Sequence, residues 1–153
     1  MVQTKGRSKH KMFKLHETLA RDCLILGEFD LSLVLLSRDA NYPWLILVPQ
    51  RQNIKEIYQL NNADRQQLLL ESCQLSEAIT ALFAPDKLNI ATLGNLVPQL
   101  HMHHVARFKS DCAWPGPIWG VSASKSYDPH IFDERCDALR QQLRSCGLRY
   151  SAD

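Results

Sequence analysis

The 153-residue chain has no apolar run that approaches the roughly 20 residues needed to cross a bilayer. Its basic beginning, residues 1–11, also lacks the apolar core of a signal peptide. We interpret those residues as a disordered, hydrated tail and expect residues 12–153 to form a single domain. The sequence therefore predicts a soluble, cytoplasmic protein without a membrane partner.

The sequence contains no Cys-x-x-Cys pair either. Its five cysteines are widely spaced and odd in number, which is typical of reduced thiols and argues against a disulfide framework or a zinc cage. The net charge of +2 and the charged fraction of 22% are ordinary for a soluble domain. Nothing in the charge balance indicates a nucleic-acid partner.

Apolar patterning divides the chain into strands and helices. Residues 31–38 and 43–50 are two apolar runs separated by the turn formers of DANY, which predicts a hairpin of largely buried strands. Periodicity and capping residues predict further helices at 13–23, 61–83 and 128–147, and further strands at 87–93 and 99–108. This order indicates an α+β fold with an antiparallel sheet, a long helix and a C-terminal helix.

Three of the six histidines lie within four consecutive positions of the last predicted strand, QLHMHHVARF at residues 99–108. Because side chains alternate along a strand, Gln99, His101 and His103 should share one face, with His104 on the other. Positions two apart are about 6.6 Å apart along a strand, so two imidazoles can converge on one phosphate. One would attack phosphorus while the other donates to an oxygen. We expect His104 to be packed or hydrogen-bonded structurally.

A neutral imidazole suits nucleophilic attack at phosphorus, because it is basic near pH 7 and leaves readily from the phosphoramidate that it forms. Its second nitrogen must be held by an acceptor, often a backbone carbonyl. Two other interpretations of the histidines remain open. They can be ordinary core or surface side chains, or they can bind a metal, although zinc would need a third ligand and only Asp111 and Cys112 are nearby in sequence.

The segment QLHMHHV resembles the histidine triad (HIT) signature His-φ-His-φ-His-φ-φ, in which φ is apolar, with Gln99 in place of the first histidine. The segment PWLILVPQR resembles the family's strand that ends in Pro-Lys or Pro-Arg, and a long helix follows it. Together with LGNLVPQLHMH and WPGPIWG, these segments resemble a bacterial branch of the family. The likeness covers about residues 13–108.

This resemblance implies a HIT-like α+β fold, usually homodimeric, that hydrolyses or transfers nucleotidyl groups at the α-phosphate. The family's nucleophile maps to His101, and His103 then contacts the phosphate or the leaving group. The family's glycine-rich phosphate segment is shortened here to Gly94-Asn95, which makes Asn95 a candidate phosphate-binding amide. A turn asparagine would suit the same position.

Three positions depart from the family pattern. Trp44 stands where the family often has a further histidine, and Leu36 lies near the place of an acidic ribose-binding residue, which leaves Ser37 or Asp39 as substitutes. Gln99 can bind substrate or orient a neighbour but cannot carry a proton. We therefore expect a nucleotide hydrolase or nucleotidyl transferase that needs no metal or other cofactor. The alternatives are a nucleotide-binding regulatory protein with little turnover and a metal-binding strand protein.

Overall fold

A computed structural model of the chain describes residues 12–150. Its elements are α1 (Glu17–Asp22), β1 (Cys23–Glu28), β2 (Ser32–Ser37), β3 (Trp44–Pro49), a 3-10 helix (Ile57–Gln59), α2 (Asn62–Phe83), β4 (Lys87–Ala91), β5 (Met102–Arg107) and α3 (Pro129–Arg144). The five strands form one antiparallel sheet in the order β1-β2-β3-β5-β4. The predicted α+β fold is therefore confirmed. The expected tail, residues 1–11, lies outside the described residues.

The two long helices begin at the side chains that cap them. The Asn61 side chain accepts from the main-chain N–H of Asp64 at the start of α2, and Asp128 accepts from the first turn of α3. α3 ends at Arg144, short of the predicted end at 147, because Gly147 has a φ of +90° and turns the chain back. None of the helices within residues 12–150 is long and apolar enough to span a membrane.

The predicted strand at 99–108 is too long at its beginning. β5 starts at Met102, because the preceding residues pair outside the ladder: the Leu100 N–H donates to the Ile54 carbonyl, 2.9 Å away, in the loop after β3. His101 therefore lies in a loop immediately before the strand. His103 remains within β5, where it pairs with Ile46 of β3.

The edge strand β1 was not predicted, and the predicted helix at 13–23 is correspondingly too long. α1 has only six residues, and β1 follows it directly at Cys23. A register shift between Ile25 and Gly27 interrupts the pairing of β1 with β2. Glycine is required at position 27, since a Cβ there would lie 2.4 Å from the Arg149 carbonyl oxygen.

The sheet separates two apolar clusters. α2 and α3 cover the larger one, to which alternate residues of β2 and β3 contribute, including Val34, Leu36, Leu45 and Leu47. The smaller cluster lies on the opposite face, where Leu19 of α1 packs against Leu35, Ile46 and Val48. Each fully buried leucine contributes about 1.5–3 kcal/mol, which fixes both faces of the sheet. The alternation continues into β5, so its histidines reach two different environments.

Candidate active site

His101 is nearly buried and is held by the main chain next to it. Its Nδ1 lies 2.7 Å from the carbonyl oxygen of Gln99. Because a carbonyl can only accept, Nδ1 carries the proton of the neutral ring and Nε2 keeps its lone pair. The Gln99 carbonyl is thus the acceptor that a nucleophilic imidazole requires.

His103 is held in the opposite tautomer. The Trp44 indole N–H donates to Nδ1 of His103 over 2.9 Å. An indole nitrogen can only donate, so Nδ1 is an acceptor and Nε2 carries the proton. Burial lowers the pKa of His103 to about 3, with smaller contributions from the neighbouring His101 and His104. Near neutral pH, His103 is therefore an uncharged hydrogen-bond donor.

Four rings pack together at this point and form what we call the aromatic cluster: Trp44, His101, His103 and Trp119. The centroids of the two imidazoles are 4.8 Å apart with an interplanar angle of 73°. Trp119 lies 5.3 Å from His103 and meets Trp44 edge-on at 90°. The cluster places an imidazole with a free lone pair beside an imidazole with a free N–H.

His104 lies on the other face of the sheet and has no exposed surface. Its Nδ1 contacts the Met102 carbonyl at 3.2 Å and its Nε2 contacts the Ser72 hydroxyl of α2 at 2.7 Å. Since the carbonyl accepts from Nδ1–H, the hydroxyl donates to Nε2. Burial lowers the pKa of His104 to about 4. His104 is thus packed and hydrogen-bonded within the protein, as expected from its position on the strand.

The carboxamide of Gln99 binds the N-terminal segment. Its Oε1 accepts from the His16 N–H at 2.9 Å, and its Nε2 donates to the Lys14 carbonyl at 3.0 Å. The structure thus brings Gln99 beside His101, but it is the main-chain carbonyl of Gln99 that touches the imidazole. Both ends of the carboxamide are engaged by main-chain groups of the N-terminal segment.

A cavity of about 410 Å³ adjoins the aromatic cluster, with Trp44 and Trp119 in its wall. Ser37 lines the same cavity, and its Oγ accepts from the Asp39 N–H at 3.2 Å, which leaves the hydroxyl proton free to donate. Asn95 is not among the residues that line it. That residue lies exposed in the bend between β4 and β5, after Gly94, whose φ is +71°.

Metal-binding side chains are not grouped at this site. Within the part of the chain that the structure describes, no three His, Cys, Asp or Glu residues are arranged to hold a metal ion. Asp111 forms a buried ion pair with Arg107, at 2.8 Å, which lowers the pKa of the carboxyl to about 2. The Cys112 sulfur lies 3.1 Å from the Tyr42 hydroxyl.

Comparison with known proteins identifies the family of this chain. The family model for the HIT domain matches residues 19–110, more than half of the chain. The chain belongs to the HIT domain family. A search of the curated proteins gives no match.

Three similar solved structures are histidine triad proteins of bacteria. The protein from Marinobacter aquaeolei is 48% identical, with a TM-score of 0.85, over 88% of this chain and 98% of its own. The protein from Bradyrhizobium japonicum is 44% identical, with a TM-score of 0.85, over 86% and 98%. The protein from Sinorhizobium meliloti is 36% identical, with a TM-score of 0.83, over 86% and 97%. A diadenosine triphosphate hydrolase from Plasmodium falciparum shares the fold, with a TM-score of 0.55 at 14% identity.

Two residues of the aromatic cluster had no assigned role from the sequence. Trp44 stands out in the sequence only as a departure from the family pattern, and Trp119 lies in a proline- and tryptophan-rich loop that local rules do not define. The bond from Trp44 to His103 joins residues 59 positions apart, which no local pattern reveals. The WPGPIWG motif that contains Trp119 was the only sequence signal for that loop.

Proposed function

We propose that this HIT domain is a nucleotide hydrolase or nucleotidyl transferase that acts at the α-phosphate through a nucleotidyl intermediate on His101. The observation that carries the proposal is the pair of opposite tautomers, which gives His101 a free lone pair and His103 a free N–H. Membership of the family, and a fold shared with a diadenosine triphosphate hydrolase, support a nucleotide substrate.

In the first step, the Nε2 lone pair of His101 attacks the α-phosphorus. A P–N bond forms while the bond to the leaving group breaks, and the leaving group takes its electron pair. The Nε2–H of His103 donates to an oxygen of the phosphorus centre or of the leaving group and stabilises the developing charge.

In the second step, water attacks the phosphorus and the P–N bond breaks. The electron pair returns to His101, the water loses a proton to solvent, and a nucleoside monophosphate is released. A transferase would differ only in the acceptor, because another nucleophile would take the place of water.

The nucleotide would lie in the cavity beside the aromatic cluster. The free hydroxyl proton of Ser37 suits a ribose oxygen, and Trp119 offers a ring face for stacking. The exposed amide of Asn95 is our candidate for a phosphate contact as the substrate enters. Gln99, which we place at the family's first histidine position, would serve the site through its carbonyl on His101.

We further propose that the protein works as a homodimer in the cytoplasm. Within residues 12–150, β4 pairs with β5 alone, and exposed apolar residues lie on β4 and in the segment that follows it: Ile90, Leu93 and Leu96. Exposed apolar residues beside an unpaired strand edge favour an interface with a second copy of the chain, which would bury them. All five cysteines are free thiols, in keeping with a reducing compartment.

A panel of nucleotides tests the proposed reaction. Dinucleoside polyphosphates, nucleoside phosphoramidates and nucleotide sugars are incubated with the protein, and release of a nucleoside monophosphate is followed by chromatography. Turnover of at least one class is expected. Tight binding without release would favour a regulatory protein, and stoichiometric zinc or iron by elemental analysis would contradict the metal-free mechanism.

A further inference from the structure

The tautomer of His103 depends on one contact from a neighbouring strand. Trp44 and His103 lie on the same face of the sheet, since Trp44 pairs with Val105 and His103 pairs with Ile46 in the β3–β5 ladder. The two side chains are therefore diagonal neighbours whose separation is set by main-chain pairing. The 2.9 Å bond from the indole to Nδ1 results from this register.

The indole is itself held in place. Trp119 meets Trp44 edge-on, with centroids 6.2 Å apart, and also packs on the His103 ring. The Ala106 N–H donates to the Pro43 carbonyl at 2.9 Å and so continues the ladder beyond Trp44. The donor thus approaches Nδ1 from a rigid strand, and its nitrogen cannot change from donor to acceptor.

We propose that Trp44 is a positioning residue that fixes His103 as an uncharged Nε2–H donor across the neutral pH range. This inference rests on the proposed function, in which His103 donates to the reacting phosphate. A protonated His103 would need a proton on Nδ1, where the indole N–H already points, so the Trp44 bond opposes the charged form. His103 would then act by hydrogen bonding and not by proton transfer.

Like the bond from Trp44, burial lowers the pKa of His103, because a positive charge on a desolvated ring is unfavourable. The titratable groups that lower the pKa of His103 further are His101 before β5 and His104 beside it on the strand. The cavity that Trp44 and Trp119 line is also lined by charged side chains of both signs: Arg21, Asp22, Arg38 and Asp39.

Nitrogen-15 NMR of the histidine rings tests this role without any substrate. His103 resonances are assigned by their loss in a His103→Gln variant. In the parent, we expect a single Nε2–H tautomer that does not titrate between pH 5 and 8. In Trp44→Phe, which keeps a ring but has no N–H, we expect a mixture of tautomers and a raised pKa of His103.

Two further variants separate the hydrogen bond from packing. Trp119→Phe removes the indole N–H of the other tryptophan that packs on His103, and the Nε2–H tautomer should persist. If Trp44→Phe folds poorly, site-specific replacement of the Trp44 indole by benzothiophene keeps the two fused rings and removes only the N–H. A pure Nε2–H tautomer with unchanged titration in either Trp44 variant would overturn the proposal.

Kinetics then connects Trp44 with the reaction. Using a substrate that the nucleotide panel identifies, Trp44→Phe should lower kcat about tenfold, because His103 is less often in the donating tautomer and its ring is no longer held in one orientation. A loss of tautomer control with unchanged kcat would show that Trp44 positions His103 but that His103 does not assist the reaction. The positioning role and the proposed function can therefore fail separately.

Discussion

His103 and His104 are adjacent in sequence and almost equally buried, yet they belong to different parts of the molecule. His103 packs on Trp44 and Trp119, which line the cavity, and its Nε2–H is not engaged by the contacts that hold the ring. His104 faces α2, where both ring nitrogens have protein partners. The difference arises from the two-residue period of the strand, which sends neighbours to opposite faces.

The hydrogen-bond partners of an imidazole therefore decide whether the ring can bind or attack a substrate or only stabilises the fold. A ring whose two nitrogens are satisfied by protein groups contributes to stability and has nothing left for a substrate. A ring that is fixed through one nitrogen is oriented and keeps the other for chemistry. By this criterion we propose His101 and His103 as the reactive pair, whereas His104 joins the sheet to α2.

The largest expected effect is that of His101→Ala. Removal of the nucleophile should lower kcat by about 1000-fold or more, while the free energy of unfolding changes by less than about 2 kcal/mol, since no large core side chain is lost. Steady-state kinetics and urea unfolding measure the two quantities. As a matched control, His130→Ala removes an exposed imidazole on α3 and should keep full turnover. Parent-like activity in His101→Ala would refute the assignment.

His103→Gln should have the next largest effect. The glutamine amide can place an N–H near the position of Nε2, but it leaves the Trp44 N–H without its ring acceptor and loses the fixed orientation. We expect kcat to fall about 100-fold, in the range found for loss of one preorganised donor. A change of less than threefold would show that turnover does not need the His103 ring.

Acidification should weaken the fold through both histidines of β5. Their folded pKa values, about 3 for His103 and about 4 for His104, lie below the ordinary value of 6.5. Above pH 6.5 the folded and unfolded states are both neutral at these positions. As the pH falls from 6.5 towards 4, the unfolded chain binds protons that the folded chain excludes, so stability falls by about 1.4 kcal/mol per pH unit for each histidine.

A His104→Leu variant isolates one of these two contributions. Its slope of unfolding free energy against pH, measured by urea unfolding from pH 6.5 to 4.5, should be shallower than that of the parent by about 1.4 kcal/mol per unit. Equal slopes in the two proteins would show that His104 takes up its proton equally well in the folded and unfolded chain.

Ser72→Ala should have the smallest effect. It removes the donor to Nε2 of His104 and leaves a buried acceptor unpaired, so we expect a loss of about 1–2 kcal/mol in stability. The kcat of the folded protein should be unchanged, because α2 lies on the other side of the sheet from the reactive pair. A selective fall in kcat would mean that the two faces are coupled.

The features that could be predicted from the sequence are those set by the periodicity of apolar residues and by helix-capping side chains. Strand alternation separated His103 from His104. Capping residues marked the starts of the long helices, with Asn61 or Asn62 expected for α2 and Asp128 for α3, and Asn61 is the observed cap of α2. The strand β1 was missed because its short apolar run is interrupted by Gly27, whose role depends on a close approach by Arg149 at the far end of the chain.

The contacts that define the site could not be predicted for a related reason. The two bonds of the Gln99 carboxamide join residues more than 80 positions apart, and the acceptor for Trp44 is 59 positions away. The type of each side chain gives its capacity to donate or accept, but only the folded pairing of β3 with β5 selects the partner. The tautomer of His103 is therefore a property of the fold, whereas that of His101 depends on a carbonyl two residues away.

The most direct test of the reactive pair is to trap the intermediate. The protein is mixed with a nucleotide that carries a labelled α-phosphate, quenched in alkali to preserve phosphoramidates, and digested for mass spectrometry. We expect one nucleotidyl group per chain on the peptide that contains His101, absent in His101→Ala and present in His130→Ala. Rapid turnover without a labelled histidine, or a label on His103 or His104, would contradict nucleophilic attack by His101.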